Sequence, residues 1–83
     1  MEPSKPLKVQ FKLENQVVED LIEINWTIGK IKGKIRKLFE INLYYTLEFI
    51  YKGQILDNSK QFREIGYKRD TIIKVMATRA TEF

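Results

Sequence analysis

Covalent catalysis needs a nucleophile with a base beside it, and this chain has no histidine and no cysteine to supply either. Its two serines, Ser4 and Ser59, fall in a lead-in and in a polar loop. Glu19 and Asp20 are neighbours in a strand-like run, where successive side chains point to opposite faces, so they cannot act as a carboxylate pair. The run Gly29-Lys30-Ile31-Lys32-Gly33-Lys34 suggests a phosphate loop. That loop requires four residues between its glycines and a Ser or Thr after the lysine to hold magnesium, whereas three residues and Ile35 stand here. Catalysis is not expected, and neither is a cofactor, a metal or a small-molecule substrate.

Binding chemistry is better represented. Lys30, Lys34 and Lys37 recur at helical spacing on one face and could attract the phosphates of nucleic acid or anionic lipid, although lysines on a solvated helix face need no such role. Trp26, Tyr44 and Tyr45 could stack on bases, but they sit at an element boundary and in a connection, with no interleaved basic strand pattern. They are expected to close the ends of the core, and nucleic acid is not an expected partner. Ile50, Ile72 and Met76 fall on the alternate face of two strands whose other residues form the core, so they are expected to cluster outside as an apolar patch.

The elements that would position these residues follow from pattern. Leu7 to Leu13 alternates apolar and polar residues, a half-buried strand with Leu7, Val9, Phe11 and Leu13 inward. Glu14-Asn15-Gln16 is a turn with Asn15 suited to positive φ. Val17 to Ile24 is a second strand whose alternation is broken by Asp20, which a bulge near Asp20 and Leu21 would repair. Thr27 can cap a helix from Ile28, with Ile28, Ile31, Ile35, Leu38 and Phe39 as its apolar stripe. Ile41 to Tyr45 is a connection with a few buried anchors, Leu47 to Tyr51 a strand, Lys52-Gly53-Gln54 a tight turn, and Ile55-Leu56 a short strand. Phe62 and Ile65 sit one helical turn apart before Gly66, and Thr71 to Ala77 is the last strand. Strand, strand, helix, strand, short strand, strand specifies an α+β fold, a mixed four- to five-stranded sheet on one α-helix.

The chain has 83 residues, 43% apolar and 31% charged, which suits one folded domain with a single core. Residues 1–6 are expected to be a flexible lead-in, 7–78 the domain and 79–83 a tail. The absence of cysteine, of a signal-peptide segment and of any apolar run near the roughly 20 residues of a membrane span leads to the expectation of an intracellular protein, cytoplasmic or nuclear. Asn25-Trp26-Thr27 matches a glycosylation acceptor but without a secretory signal is taken as chance. The net charge of +4 favours acidic partners.

Three segments in this order resemble the ubiquitin-like β-grasp family across Leu7 to about Thr78: Thr27 to Ile35 is similar to its helix start, Leu47 to Leu56 to its third strand, glycine turn and fourth strand, and Asp57 to Met76 keeps its register. The resemblance implies a protein-binding patch centred on Ile50 and Met76, with Lys74 at a position that is basic or His in many relatives. Alternation adds Ile72, and Glu48 flanks the group. Two features depart from the family. Glu14 or Asn15 stands where a third exposed aliphatic would complete the patch, and Ala77 to Phe83 lacks the paired glycines through which conjugated relatives are attached. The chain therefore more closely resembles the non-conjugated domains that dock larger proteins to a proteasome, a ubiquitin-handling enzyme or another partner, and a monomer is expected. An alternative within the same fold is the Ras-binding type, which meets a small GTPase along strand two. Lys8 and Lys12 suit it, but Glu19, Asp20 and Glu23 would repel an acidic effector surface. A further alternative is contact of the basic helix with an acidic protein or nucleic acid.

Overall fold

Eleven residues from Ile28 to Leu38 form α1, and its stability is tertiary. Gly29 and Gly33 together cost roughly 2 kcal/mol relative to alanine, and its first turn carries no acidic residue. Against this, Ile28, Ile31 and Ile35 are fully buried, a contribution of roughly 1.5–3 kcal/mol each. Docking outweighs the weak intrinsic propensity. Thr27 caps the helix as expected, its Oγ1 accepting from the Lys30 N–H at 3.2 Å. The amides of Ile28 and Gly29 donate to the carbonyls of Lys60 and Asn58 at 2.8 and 3.1 Å. Glu40 takes a left-handed φ of 56° just beyond the helix, and the Ile41 N–H returns to the Arg36 carbonyl at 2.9 Å.

The helix lies on a five-stranded mixed sheet in a computed structural model that describes residues 6–79. The lead-in and tail expected at 1–6 and 79–83 fall, apart from Pro6 and Arg79, outside the described residues. The strands are β1 (Leu7–Leu13), β2 (Gln16–Ile22), β3 (Tyr45–Tyr51), β4 (Gln54–Ile55) and β5 (Ile72–Arg79), in the order β2-β1-β5-β3-β4. Only β1 and β5 run parallel, joining the two hairpins at the centre. A 3₁₀ turn at Phe62–Glu64 precedes Gly66, whose φ is +70°. The core is continuous: Phe11 and Phe49 meet with ring centroids 5.3 Å apart beneath the helix isoleucines. Val9, Phe11, Ile22, Ile31, Ile35, Phe49, Leu56, Ile73 and Val75, all expected inside, are buried.

Several local expectations are corrected. The first hairpin contains no bulge, because β1 and β2 pair without interruption from Leu7 opposite Ile22 to Leu13 opposite Gln16. Asp20 instead stays on the inward side, where its Oδ1 accepts from the Leu21 N–H at 2.8 Å and its Oδ2 lies 3.4 Å from Lys34 Nζ. Lys34 consequently leaves the solvated helix face and reaches β2. At the hairpin tip the positive φ belongs to Glu14, at 54°, and not to Asn15. Leu7 and Leu38 are exposed, since each lies at the end of its element, beyond the reach of the core. The last strand continues two residues past Ala77, Thr78 and Arg79 pairing with Thr46 and Tyr45. In the connection Ile41 packs against the core, whereas Tyr44 and Tyr45, expected with Trp26 to close its ends, are 74% and 37% exposed; Trp26 does pack against it.

Two tests follow from this packing. A Cβ at Gly33 would meet nothing within 4 Å, so Gly33→Ala should stabilise by up to about 1 kcal/mol, whereas Ile35→Ala should cost about 2–5 kcal/mol. Thermal or denaturant unfolding checks both signs. Asp57 organises the loop that covers the helix start: its Oδ1 accepts from the Ser59 amide and hydroxyl, each at 2.9 Å, and these bonds hold its carboxyl below the ordinary value of 3.8. Because the folded-state value is depressed, the stabilisation is present above pH 3.8 and is lost as pH falls through the lower folded value. Asp57→Asn should flatten that acidic limb in a pH series of melts, and an unchanged limb would show that the loop does not depend on the charge.

Candidate functional site

The face of the sheet away from α1 is assembled by strand alternation. In β5, Ile73 and Val75 are buried, which turns Ile72, Lys74 and Met76 outward. In β3, burial of Leu47, Phe49 and Tyr51 turns Thr46, Glu48 and Ile50 the same way. The antiparallel register sets Ile50 opposite Lys74 and Glu48 opposite Met76. Ile72 and Met76 therefore flank Lys74 along β5, each about 6.6 Å away at the strand rise. Ile72 and Met76 are 44% and 41% exposed, and Ile50 is half-buried.

The register also brings to this face residues that the sequence reading did not place on it. Lys52 and Gly53 both have positive φ, 52° and 78°, making a two-residue turn that puts Ile55 opposite Ile50. Ile55 is 66% exposed. The turn expected at Lys52-Gly53-Gln54 is thus one residue shorter, with Gln54 in β4, and this shift of register carries Ile55 to the outer face. On the other side Lys12 stands beside Lys74 and Val17 beside Lys12. One row thus crosses all five strands as Ile55, Ile50, Lys74, Lys12 and Val17, about 19 Å at 4.8 Å per strand. Val17 restores an exposed aliphatic beside the first hairpin, where Glu14 and Asn15 leave none.

Electrostatics give the row its character. Lys74 and Lys12 sit side by side, an arrangement that repels when empty and that an acidic group between them would relieve. Glu48 offers little opposing charge, since its carboxylate is 3.3 Å from Lys32 Nζ on the helix. Lys8, Gln10 and Glu19 continue the face and line, with Tyr67, Arg69 and Asp70, an open cleft of about 500 Å³ whose two cations and two anions give it no net sign.

Burial of the Tyr51 phenol pushes its pKa up, but hydrogen bonds with Thr71 and the Lys68 amide and the nearby charges of Lys52 and Lys68 outweigh this and leave it below the ordinary value. Those bonds, 2.9 Å to Thr71 Oγ1 and 2.8 Å from the Lys68 N–H, fasten the loop before β5 to β3. Tyr51 is structural. Among the described residues there is no cluster of three or more acidic, His or Cys side chains able to hold a metal ion, and no helix is long and apolar enough to cross a membrane.

No protein-family model matches the chain, and no curated protein matches it in sequence. Solved structures do. The N-terminal ubiquitin-like domain of the 4931431F19Rik protein is similar over 96% of this chain and 82% of its own, with 20% identity and a TM-score of 0.81. The ubiquitin-like domain of an Arabidopsis thaliana protein is similar over 94% of this chain and 86% of its own, with 20% identity and a TM-score of 0.78. The ubiquitin-like domain of Plasmodium falciparum Dsk2 covers 88% of this chain with 99% of its own, at 19% identity and a TM-score of 0.77. With the strand order, the parallel central pair and the single helix on one face, these likenesses make the chain a ubiquitin-like β-grasp domain in fold.

Proposed function

We propose that the chain is a non-catalytic ubiquitin-like module that docks its parent protein to a proteasomal, ubiquitin-pathway or other protein partner through the outer sheet face. The observation that carries this reading is the row from Ile55 to Val17, apolar at both ends with Lys74 and Lys12 paired at its centre. Ile50, Ile72, Met76 and Ile55 would desolvate against apolar side chains of the partner, while Lys74 and Lys12 would receive an acidic group. Glu48 would act at the rim, its charge shared with Lys32. The partner best suited to the row is a helical or extended segment with an apolar centre and an acidic flank. The Ras-binding alternative would use the β2 edge, where exposed Glu19 opposes an acidic effector surface.

The joint change Ile50→Ala and Met76→Ala tests the apolar centre. Each anchor should cost at least about 1 kcal/mol of binding, enough together to nearly abolish a weak interaction. The exposed Met76 should contribute no more than about 0.5 kcal/mol to stability, so a thermal melt separates lost binding from lost fold. Titration with a ubiquitin-interacting segment or a proteasomal receptor, followed by amide chemical shifts, reads the result; shifts confined to α1 with binding intact in the double variant would reject the face.

Lys74→Glu tests the charged centre. It should weaken an acidic partner more at low salt than at high salt, because screening within a Debye length of about 10 Å at 0.1 M removes the difference. A loss independent of salt would assign Lys74 a packing role instead.

A further inference from the structure

At the pole where α1 ends and β3 begins, the chain presents apolar side chains that the core does not use. Leu43 and Tyr44, consecutive in sequence, are 85% and 74% exposed, and Leu38 at the end of α1 and Tyr45 at the start of β3 are exposed as well. The turn that carries them is ordered: Asn42 Oδ1 accepts from the Tyr44 N–H at 2.8 Å, and the Asn42 carbonyl accepts from the Tyr45 N–H at 3.1 Å and from Arg36 Nη1 at 2.7 Å. Two large side chains are thereby held outward at a tip, and solvation of this much apolar surface is unfavourable for the isolated chain.

The charge along α1 and the turn after it is one-sided. Residues 25–46 contain Lys30, Lys32, Lys34, Arg36 and Lys37 against Glu40 alone, an excess equal to the +4 of the whole chain. Lys32 and Lys34 are engaged by Glu48 and Asp20, and Lys30 lies over the Trp26 ring at 4.8 Å. Arg36 and Lys37 sit in the last helical turn, nearest the tip, and Arg79 arrives there from β5 by pairing with Tyr45.

We infer that this pole is a peripheral contact for an anionic phospholipid surface, with Leu43 and Tyr44 entering the headgroup region and Arg36, Lys37 and Arg79 meeting lipid phosphates. A bilayer is the better occupant than a protein groove because the apolar pair projects at nearly full exposure. A rigid partner would need a matching cavity, whereas headgroups rearrange around a protrusion. An aliphatic and a tyrosine with cations on the adjoining helix end and strand have the amphipathic composition of interfacial contacts. Two side chains and three cations give weak, reversible binding. The surface is separate from the outer sheet face and from the function proposed for it.

Co-sedimentation of the 83-residue chain with vesicles tests this, comparing phosphatidylcholine alone with the same lipid containing one third phosphatidylserine. Binding is expected only with the anionic lipid and should fall with salt. Lys37→Glu should weaken it at least about fivefold, and the joint change Leu43→Ser and Tyr44→Ser at least about tenfold. Both variants should melt like the parent, and the Ile50→Ala, Met76→Ala variant should still bind vesicles. Absence of binding to anionic vesicles, equal binding to neutral ones, or binding unaffected by the loss of Leu43 and Tyr44 would overturn the inference. So would amide shifts at residues 43 and 44 caused by an acidic apolar peptide but not by anionic bicelles, which would make the pole a protein contact.

Discussion

Everything in this domain depends on the contact between the isoleucine stripe of α1 and the sheet beneath it. With 83 residues and no cysteine there is one small core and no covalent reinforcement. Ile28, Ile31 and Ile35 supply the helix side of that core, and Val9, Phe11, Phe49, Ile73 and Val75 the sheet side. Removing the contact would leave an 11-residue helix with two glycines, too short to persist alone in water. It would also uncover the inner face of four strands. The parallel β1 and β5 pair, which brings together the beginning and end of the domain, is the part of the sheet with most chain to close and hence most dependent on this docking.

Because the inner face is committed to the helix, the outer face is left to solvent. Alternation couples the two: each residue that fixes the core register also fixes what its neighbours show to solvent. Burial of Phe49 dictates exposure at Glu48 and Ile50, and burial of Ile73 and Val75 dictates exposure at Ile72, Lys74 and Met76. The chemistry of this surface can therefore change by single substitutions that the core does not feel. The juxtaposition of Lys12 and Lys74 illustrates this, since neither side chain contributes to packing and both alter the field above the sheet.

The helix terminus shows how backbone donors can be satisfied without leaving a ligand site. The amides of Ile28 and Gly29 are taken by the carbonyls of Lys60 and Asn58 respectively, and that of Lys30 by the Thr27 hydroxyl. The glycine-lysine run that suggests a phosphate loop thus has its donors engaged within the protein. The same loop ties α1 to the 3₁₀ turn, where the Phe62 and Arg63 amides donate to Trp26 and Ile24 carbonyls. Asp57 and Tyr51 perform related work, each hydrogen-bonding a loop that the sheet itself does not hold.

How much could be known without coordinates divides along the range of the forces involved. The strands, the capped helix, the buried set from Val9 to Val75 and the outward positions Ile50, Ile72 and Met76 were all legible, because period-2 and period-3.6 patterns are local and burial follows them. Asp20 was misread as a bulge because its compensation, Lys34, comes from an element 14 positions away whose approach no local pattern encodes. Tyr44, Tyr45 and Leu38 were expected against the core because hydrophobicity signals burial on average, while whether a connection crosses the core or projects beyond it depends on where α1 stops and β3 starts in space. The neighbours Lys12 and Val17 joined the outer row only through the parallel pairing of β1 with β5, more than 60 residues apart in the chain. Sequence pattern determines which side of a strand a residue occupies; only the assembled sheet determines which residues stand beside it, because strand order is settled by closing the single core over the helix.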